Sequence, residues 1–113
     1  MKLVIFGSRE IEDMRTLENA LEACGMASQV TEIVSGGARG VDRLGERYAR
    51  QRGLPCKVFP AQWAKYGKSA GPIRNTEMAD YADYGVAVWD GASRGTNHMI
   101  KLMKGRVFVT VCR

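Results

Sequence analysis

Five short apolar runs rich in β-branched residues constrain the fold of this chain more than any other feature of its sequence. They lie at residues 2–6, 31–34, 56–59, 86–89 and 107–111. The segments between them carry apolar residues at helical spacing. Continuous apolar strands that alternate with helices are typical of a parallel sheet covered on both faces.

Right-handed crossovers between such strands produce a three-layer α/β/α sandwich. We predict a five-stranded parallel sheet with the strand order 3-2-1-4-5. The length of 113 residues fits one domain over residues 1–113. Ligands of these sheets bind in the crevice at the carboxyl ends of the strands, where the strand order reverses.

The helices are predicted from apolar spacing and from the residues at their ends. Their boundaries are Asp13 and Gly25 for the first helix, Gly53 for the end of the second, Pro72 for the start of the third and Gly105 for the end of the fourth. Gly85 is predicted to follow the third helix. Segment 61–71 is predicted to be a loop longer than the usual ~2–6 residues, which suggests a functional role.

The glycine-rich segment 35–42 follows the second strand and opens the second helix. Glycine lets the backbone adopt positive φ and lets a ligand approach without meeting a Cβ. The unpaired N–H groups of a helix's first turn favour an anion. Arg39 adds a guanidinium that can bind a phosphate in two places. We interpret the segment as a phosphate-binding loop; a tight turn with no ligand stays open as the alternative.

Polar turns follow the first and fourth strands as well, and the third helix begins beside the same crevice. The net charge of +5 favours an anionic partner. The candidate ligand-binding residues are Gly7, Ser8, Arg9, Gly36, Gly37, Ala38, Arg39, Gly40, Asp42, Arg74, Asn75, Asp90, Gly91, Gly95 and Thr96.

Each polar candidate has a structural alternative. Asp42 is predicted to accept from a ribose hydroxyl or to begin its helix favourably. Arg74 contacts a phosphate or forms a surface ion pair. The hydroxyls of Ser8 and Thr96 bind a phosphate or cap helices. Asp90 is a candidate for a base, a ribose or Mg²⁺, although no second carboxylate lies nearby in the sequence, and no metal cluster is predicted.

Several other residues have structural interpretations. Trp63 and Tyr66 are predicted to anchor the long loop, with base stacking as the alternative. The single histidine, His98, is interpreted as a surface residue of the last helix. Residues 67–69 match the last residues of the P-loop motif, but Gln62 occupies the position where that motif has its first glycine. The first strand lacks the dinucleotide fingerprint, which argues against a nicotinamide oxidoreductase.

Motifs at several places along the chain together resemble one family. These are Gly7-Ser8-Arg9, the segments 35–42, 59–63 and 66–75, and Gly95-Thr96. They resemble the short YspA-like branch of the SLOG superfamily, Rossmann-like relatives of the Lonely Guy phosphoribohydrolases and the DprA/Smf DNA-processing proteins. The resemblance implies a nucleotide or nucleotide-derived ligand at the strand ends, and for this branch it implies no established reaction.

One departure from the Lonely Guy pattern bears on activity. Those enzymes carry a PGGxGTxxE turn whose glutamate serves the hydrolysis of an N-glycosidic bond. In the matching turn of this chain, Met99 stands in the glutamate's position, and a thioether cannot transfer a proton. We therefore expect binding rather than catalysis, unless Asp42, Asp90 or Glu77 supplies the acid–base group.

The sequence thus favours a module that binds, and through binding senses, a phosphorylated nucleotide or nucleotide-derived ligand. The alternatives are a nucleotide hydrolase of the phosphoribohydrolase type and a single-stranded nucleic-acid binder. Three widely spaced cysteines and the lack of a secretory signal favour the cytoplasm, with no membrane partner. A homodimer stays open.

Overall fold

The computed structural model describes residues 1–112, in which five strands form one sheet. The strands are Lys2–Gly7 (β1), Glu32–Ser35 (β2), Cys56–Val58 (β3), Tyr84–Trp89 (β4) and Val107–Val111 (β5). The α-helices are Met14–Cys24 (α1), Val41–Arg52 (α2), Trp63–Tyr66 (α3), Ala70–Tyr81 (α4) and Arg94–Leu102 (α5). Every neighbouring pair of strands is parallel, in the order β3-β2-β1-β4-β5, which confirms the predicted fold and strand order.

The central strand β1 divides its side chains between two cores. Leu3 and Ile5 face one side of the sheet, and Val4 and Phe6 face the other, because successive side chains of a strand alternate. The first core is completed by α1 and α2, and the second by α4 and α5. The sheet is therefore the middle layer of a three-layer α/β/α sandwich, as predicted.

The ends of the first two helices follow the predicted chemistry. Asp13 caps α1 by accepting the N–H of Arg15 at 3.1 Å. Gly25 and Gly53 end α1 and α2 at φ values of 72° and 68°, which glycine adopts without strain. Within residues 1–112, no helix combines the length and the apolar character needed to cross a membrane.

Five predictions about the elements are wrong, one of them the end of α5, which lies at Leu102 rather than at Gly105. Segment 61–71 is not a loop, since it contains α3 and a 3₁₀ turn at Gly67–Ser69. Helix α4 begins at Ala70 rather than Pro72, which still lies in the first turn, where an N–H is not needed. The third strand ends at Val58, one residue early. Gly85 lies inside β4, not after α4.

The position of Gly85 has a packing reason that the sequence does not reveal. A Cβ there would lie 3.1 Å from Sδ of Met103 and 3.2 Å from the ring of Phe6. Glycine thus fits this buried strand because two large side chains fill the space above it. Helix α4 ends without a glycine, because Ala82 turns to extended backbone with ψ at 151°.

Candidate functional site

Two adjoining hollows lie at the carboxyl edge of the sheet. The arginine hollow has a volume of about 670 Å³ and is lined by Arg9, Gly36, Gly37, Ala38, Arg39, Arg43, Glu46, Val58, Pro60, Ala61, Trp63 and Arg74. The apolar hollow has a volume of about 440 Å³ and is lined by Phe6, Gly7, Arg9, Ala38, Asp42, Trp63, Gly71, Pro72, Arg74, Asn75, Met78, Ser93, Arg94, Gly95, Thr96, His98 and Met99. Four residues, Arg9, Ala38, Trp63 and Arg74, line both hollows.

Arg74 is the polar side chain that joins the two hollows most firmly. It extends from α4, where its Nε donates to Oδ1 of Asn75 at 3.1 Å. Its Nη1 donates to the carbonyl oxygen of Gly36 at 2.5 Å. A Cβ at position 36 would lie 2.6 Å from that Nη1 and 2.8 Å from Oδ2 of Asp42. A side chain at this position would displace the ends of Arg74 and Asp42, which close over the glycine.

Asp42 is a buried carboxyl group in the floor of the apolar hollow. Only 5% of the residue is exposed, and its Oδ2 accepts the N–H of Ala38 at 3.3 Å. Burial raises the pKa of Asp42 to about 6, although the Arg74 guanidinium and the N–H groups of Ala38 and Gly7 oppose this rise. Glu46 adds to it by charge repulsion. The carboxyl group therefore changes protonation close to neutral pH.

We expect the substitution Asp42→Asn to remove a pH dependence of stability. Because the pKa of Asp42 is raised from 3.8 to about 6 in the folded protein, the folded state binds the proton more tightly than the unfolded chain. The resulting stability is present below about pH 4 and is lost as the pH rises through about 6. Since one pKa unit corresponds to about 1.4 kcal/mol, wild type should lose roughly 2 kcal/mol more than the variant between about pH 4 and about pH 7.

Urea unfolding of both proteins at the two pH values measures this difference. Asparagine keeps an oxygen that can accept the N–H of Ala38, so the fold is retained and the other carboxyl groups titrate alike in both chains. Parallel pH dependences of the free energy of unfolding in wild type and variant would contradict the assignment.

Two backbone N–H groups of the glycine-rich loop have hydrogen-bond acceptors within residues 35–42. The N–H of Gly37 donates to Oγ of Ser35 at 3.1 Å, and the N–H of Ala38 donates to Asp42. Buried side chains thus supply acceptors for these two amides, and at the start of α2 the N–H of Val41 donates to the carbonyl oxygen of Ser8 at 3.3 Å. Ser35 is fully buried, and its Oγ also donates to Oε2 of Glu46 at 2.8 Å, which connects the loop to α2. Ser35 was not among the predicted site residues.

Arg39 has a partner at the rim of the arginine hollow. Its Nη2 lies 2.9 Å from Oε1 of Glu10, and the two side chains are 67% and 79% exposed. Ion pairs with this exposure stabilise a fold by about 0–1 kcal/mol. Arg39 can therefore exchange Glu10 for another anion at little cost to the fold.

Four of the predicted site residues line neither hollow. These are Ser8, Gly40, Asp90 and Gly91. Ser8 is fully buried, and its Oγ accepts the N–H of Asp90 at 2.9 Å. Asp90 accepts the N–H groups of Ala92 and Ser93 at 2.8 and 2.9 Å, and these bonds lower the pKa of its carboxyl group. In the structure both side chains hold the turn between β4 and α5.

The other predicted residues come together around the hollows. Gly7 and the α5 residues Gly95 and Thr96 line the apolar hollow, together with Asp42 and Asn75. The loop residues Gly36, Gly37 and Arg39 line the arginine hollow. Arg9, Ala38 and Arg74 lie where the two hollows meet.

The lining also includes side chains outside the predicted site residues, among them Arg43, Trp63 and His98, although base stacking was the alternative role for Trp63. Arg43 and His98 lie in the N-terminal parts of α2 and α5, beside residues that were predicted, so proximity to those glycine turns was the available signal. Trp63 is 54% exposed and lines both hollows, and its indole lies 3.6 Å from the position of a Cβ at Gly71.

The first half of the chain matches a family model described as YspA, cpYpsA-related SLOG family, over residues 1–66. The chain belongs to this family. It is also similar to the Gene 61 protein of Mycobacterium phage D29, with 36% identity over 107 residues that cover 88% of this chain and 86% of the phage protein. No solved structure matches.

The family match and the site geometry overlap in part. Residues 1–66 include β1, β2 and the glycine-rich loop of this SLOG family member, and hence much of the arginine hollow. Arg74 and the α5 residues of the apolar hollow lie beyond the match. Met99, which the sequence resemblance puts in the position of the Lonely Guy glutamate, lines the apolar hollow and is 1% exposed. The SLOG family suggests nucleotide-related binding or processing.

Proposed function

We propose that the two hollows together bind one phosphorylated nucleotide or nucleotide-derived ligand. The observation that carries this proposal is the position of Arg74, whose guanidinium borders both hollows. A ligand with an anionic part and a less polar part can contact this one cation while it fills both spaces. Membership of a SLOG family supports a nucleotide over other ligands of this kind.

The arginine hollow receives the phosphate. Its walls carry four guanidinium groups, from Arg9, Arg39, Arg43 and Arg74, against one carboxylate from Glu46. A guanidinium group can donate two parallel hydrogen bonds to a phosphate, and it stays charged at every physiological pH. Because the amides of Gly37 and Ala38 are engaged within the loop, the side chains rather than these amides supply the positive field.

The apolar hollow receives the base and sugar. Apolar side chains from both sides of the crevice, including Phe6, Met78 and Met99, contribute to its walls. A cavity of about 440 Å³ lies within the range of about 300–1,000 Å³ that small-molecule sites occupy. Trp63, exposed at the rim, offers a face on which a base can stack.

Isothermal titration at low salt tests the proposal. The probes are AMP, GMP, CMP and UMP, their diphosphates, the matching nucleosides and inorganic phosphate. We expect at least one nucleotide to bind more tightly than both its nucleoside and inorganic phosphate. Absence of binding by every nucleotide, or equal affinity for nucleotide and nucleoside, would overturn the proposal.

The substitution Glu10→Gln is expected to strengthen nucleotide binding about twofold to fivefold. Glu10 competes with the ligand phosphate for Arg39, and an exposed ion pair of this kind is worth up to about 1 kcal/mol. Arg39→Ala should weaken binding, and the double variant should bind like Arg39→Ala alone. An equal gain from Glu10→Gln in the presence and absence of Arg39 would show that the carboxylate acts on the ligand by another route.

Nucleotide hydrolysis is the second candidate function, and one observation favours it. Asp42 lines the apolar hollow, and its raised pKa of about 6 suits proton transfer near neutral pH. We would expect release of free base from a nucleoside monophosphate, lost in Asp42→Asn. Absence of product with every nucleotide of the panel would leave binding as the function of the site.

A further inference from the structure

The amide of Asn75 has one orientation that its neighbours permit. Nε of Arg74 can only donate, so the atom of Asn75 that lies 3.1 Å from it must be the acceptor Oδ1. The amide nitrogen then faces the carbonyl oxygen of Gly95 at 3.2 Å and Nδ1 of His98 at 3.1 Å. Asn75 is only 6% exposed, which holds this arrangement in place.

This orientation determines the tautomer of His98. Because the Asn75 nitrogen donates, Nδ1 of His98 must accept, and the proton of the neutral imidazole lies on Nε2. Within residues 1–112, no hydrogen-bond partner contacts Nε2. His98 also lines the apolar hollow. His98 thus combines an N–H donor of defined tautomer, without a protein acceptor, with a place in the lining of a ligand-sized cavity.

We propose that Nε2–H of His98 donates a hydrogen bond to an uncharged acceptor on the ligand, such as a ring nitrogen or a carbonyl oxygen of a nucleobase. This inference rests on the proposed nucleotide site and assigns the group that reads the base. Arg74 and Asn75 are positioning residues for His98, since the chain of donors runs from the guanidinium through the amide to the imidazole.

The chemistry of the two hollows separates this role from phosphate binding. Arg39 and Arg43 line the arginine hollow alone, whereas the hollow of His98 is lined by apolar side chains and Arg94 and shares Arg9 and Arg74 with the arginine hollow. A neutral imidazole adds no charge, so it contributes little to the binding of an anion. Its N–H group can distinguish hydrogen-bond acceptors from donors on a nucleobase. Inorganic phosphate should therefore leave His98 unaffected.

Long-range ¹H–¹⁵N NMR spectra test the tautomer directly. The chain has a single histidine, so the imidazole signals need no assignment. At a pH where the ring is neutral, we expect the pattern of the Nε2–H tautomer in wild type and a mixture of tautomers in Asn75→Ala. A mixture or the Nδ1–H form in wild type would overturn the inference.

Titration tests the contact with the ligand, with the nucleoside monophosphates AMP, GMP, CMP and UMP as probes. We expect the imidazole signals to shift with the nucleotide that binds and not with inorganic phosphate. His98→Leu should weaken the binding of that nucleotide about fivefold to tenfold, the range for one lost hydrogen bond. His98→Gln, which retains an N–H donor, should recover most of the affinity, whereas phosphate affinity should stay equal in all three proteins.

The outcomes distinguish the two proposals. Nucleotide binding with unshifted imidazole signals, or unchanged affinity in His98→Leu, would overturn the role of His98 and leave the nucleotide site standing. Absence of binding by every nucleoside monophosphate and diphosphate would overturn both.

Discussion

Gly40→Ala is expected to lower the free energy of unfolding by about 4 kcal/mol, a large part of the stability of a domain of this size. Gly40 precedes α2 with φ at 79° and ψ at −130°, a region open only to glycine, where a side chain costs about 1–3 kcal/mol. A Cβ there would also lie 2.4 Å from the carbonyl oxygen of Ser8 and 2.6 Å from Cα of Arg9. Backbone atoms cannot move aside as a flexible side chain can, so overpacking adds about 1–3 kcal/mol.

Gly53→Ala is the matched control for this effect. Gly53 also has positive φ, at 68°, but a Cβ there would meet nothing within 4 Å. This variant should lose only about 1 kcal/mol, the cost of a left-handed alanine. Urea unfolding monitored by circular dichroism gives both values. Similar losses in the two variants would show that the close contact between the loops after β1 and β2 does not exist.

Arg74→Ala is expected to weaken nucleotide binding about a hundredfold. The substitution removes a charge-assisted contact to the phosphate, worth about 1.5–3 kcal/mol, and the bond to the carbonyl oxygen of Gly36 that fixes the loop. It also removes the cation that offsets the buried carboxyl of Asp42, so the pKa of Asp42 should rise further. Titration calorimetry at several pH values measures both consequences.

Two control variants isolate the role of Arg74. Arg74→Lys keeps the charge but cannot donate to both Gly36 and Asn75, so its affinity should lie between those of wild type and Arg74→Ala. Arg106→Ala removes a guanidinium that donates to the carbonyl oxygens of Ala79 and Ala82, away from the hollows. It should lower stability and leave the affinity unchanged. A loss of affinity in Arg106→Ala as large as that in Arg74→Ala would show that stability, not contact, governs binding.

The sequence predicts the fold well because the fold depends on local patterns. Alternating apolar strands and amphipathic helices indicate the layers, and right-handed crossovers place the helices on the two faces of the sheet. Errors arose where tertiary packing decided the local structure. Gly85 was predicted to follow a helix but lies in β4. Met103 and Phe6 fill the space that a side chain at this position would need.

The candidate site was predictable only in outline. That glycine turns meet at the carboxyl edge follows from the parallel topology, and Arg74 was expected to contact the crevice. The pairing of the Gly37 amide with Ser35 could not be predicted, nor could the contact between Asn75 and His98, because each joins side chains that only the finished fold brings together. The sequence favoured a surface role for His98 for the same reason.

The central claim is that one ligand contacts both hollows at once. Backbone ¹H–¹⁵N NMR spectra recorded during titration with the nucleoside monophosphates and diphosphates test it most directly. We predict that one nucleotide shifts the amide signals of residues 36–39 and of residues 94–98 together, with a single dissociation constant. Shifts confined to one of these two segments, or to neither with any nucleotide, would contradict the account.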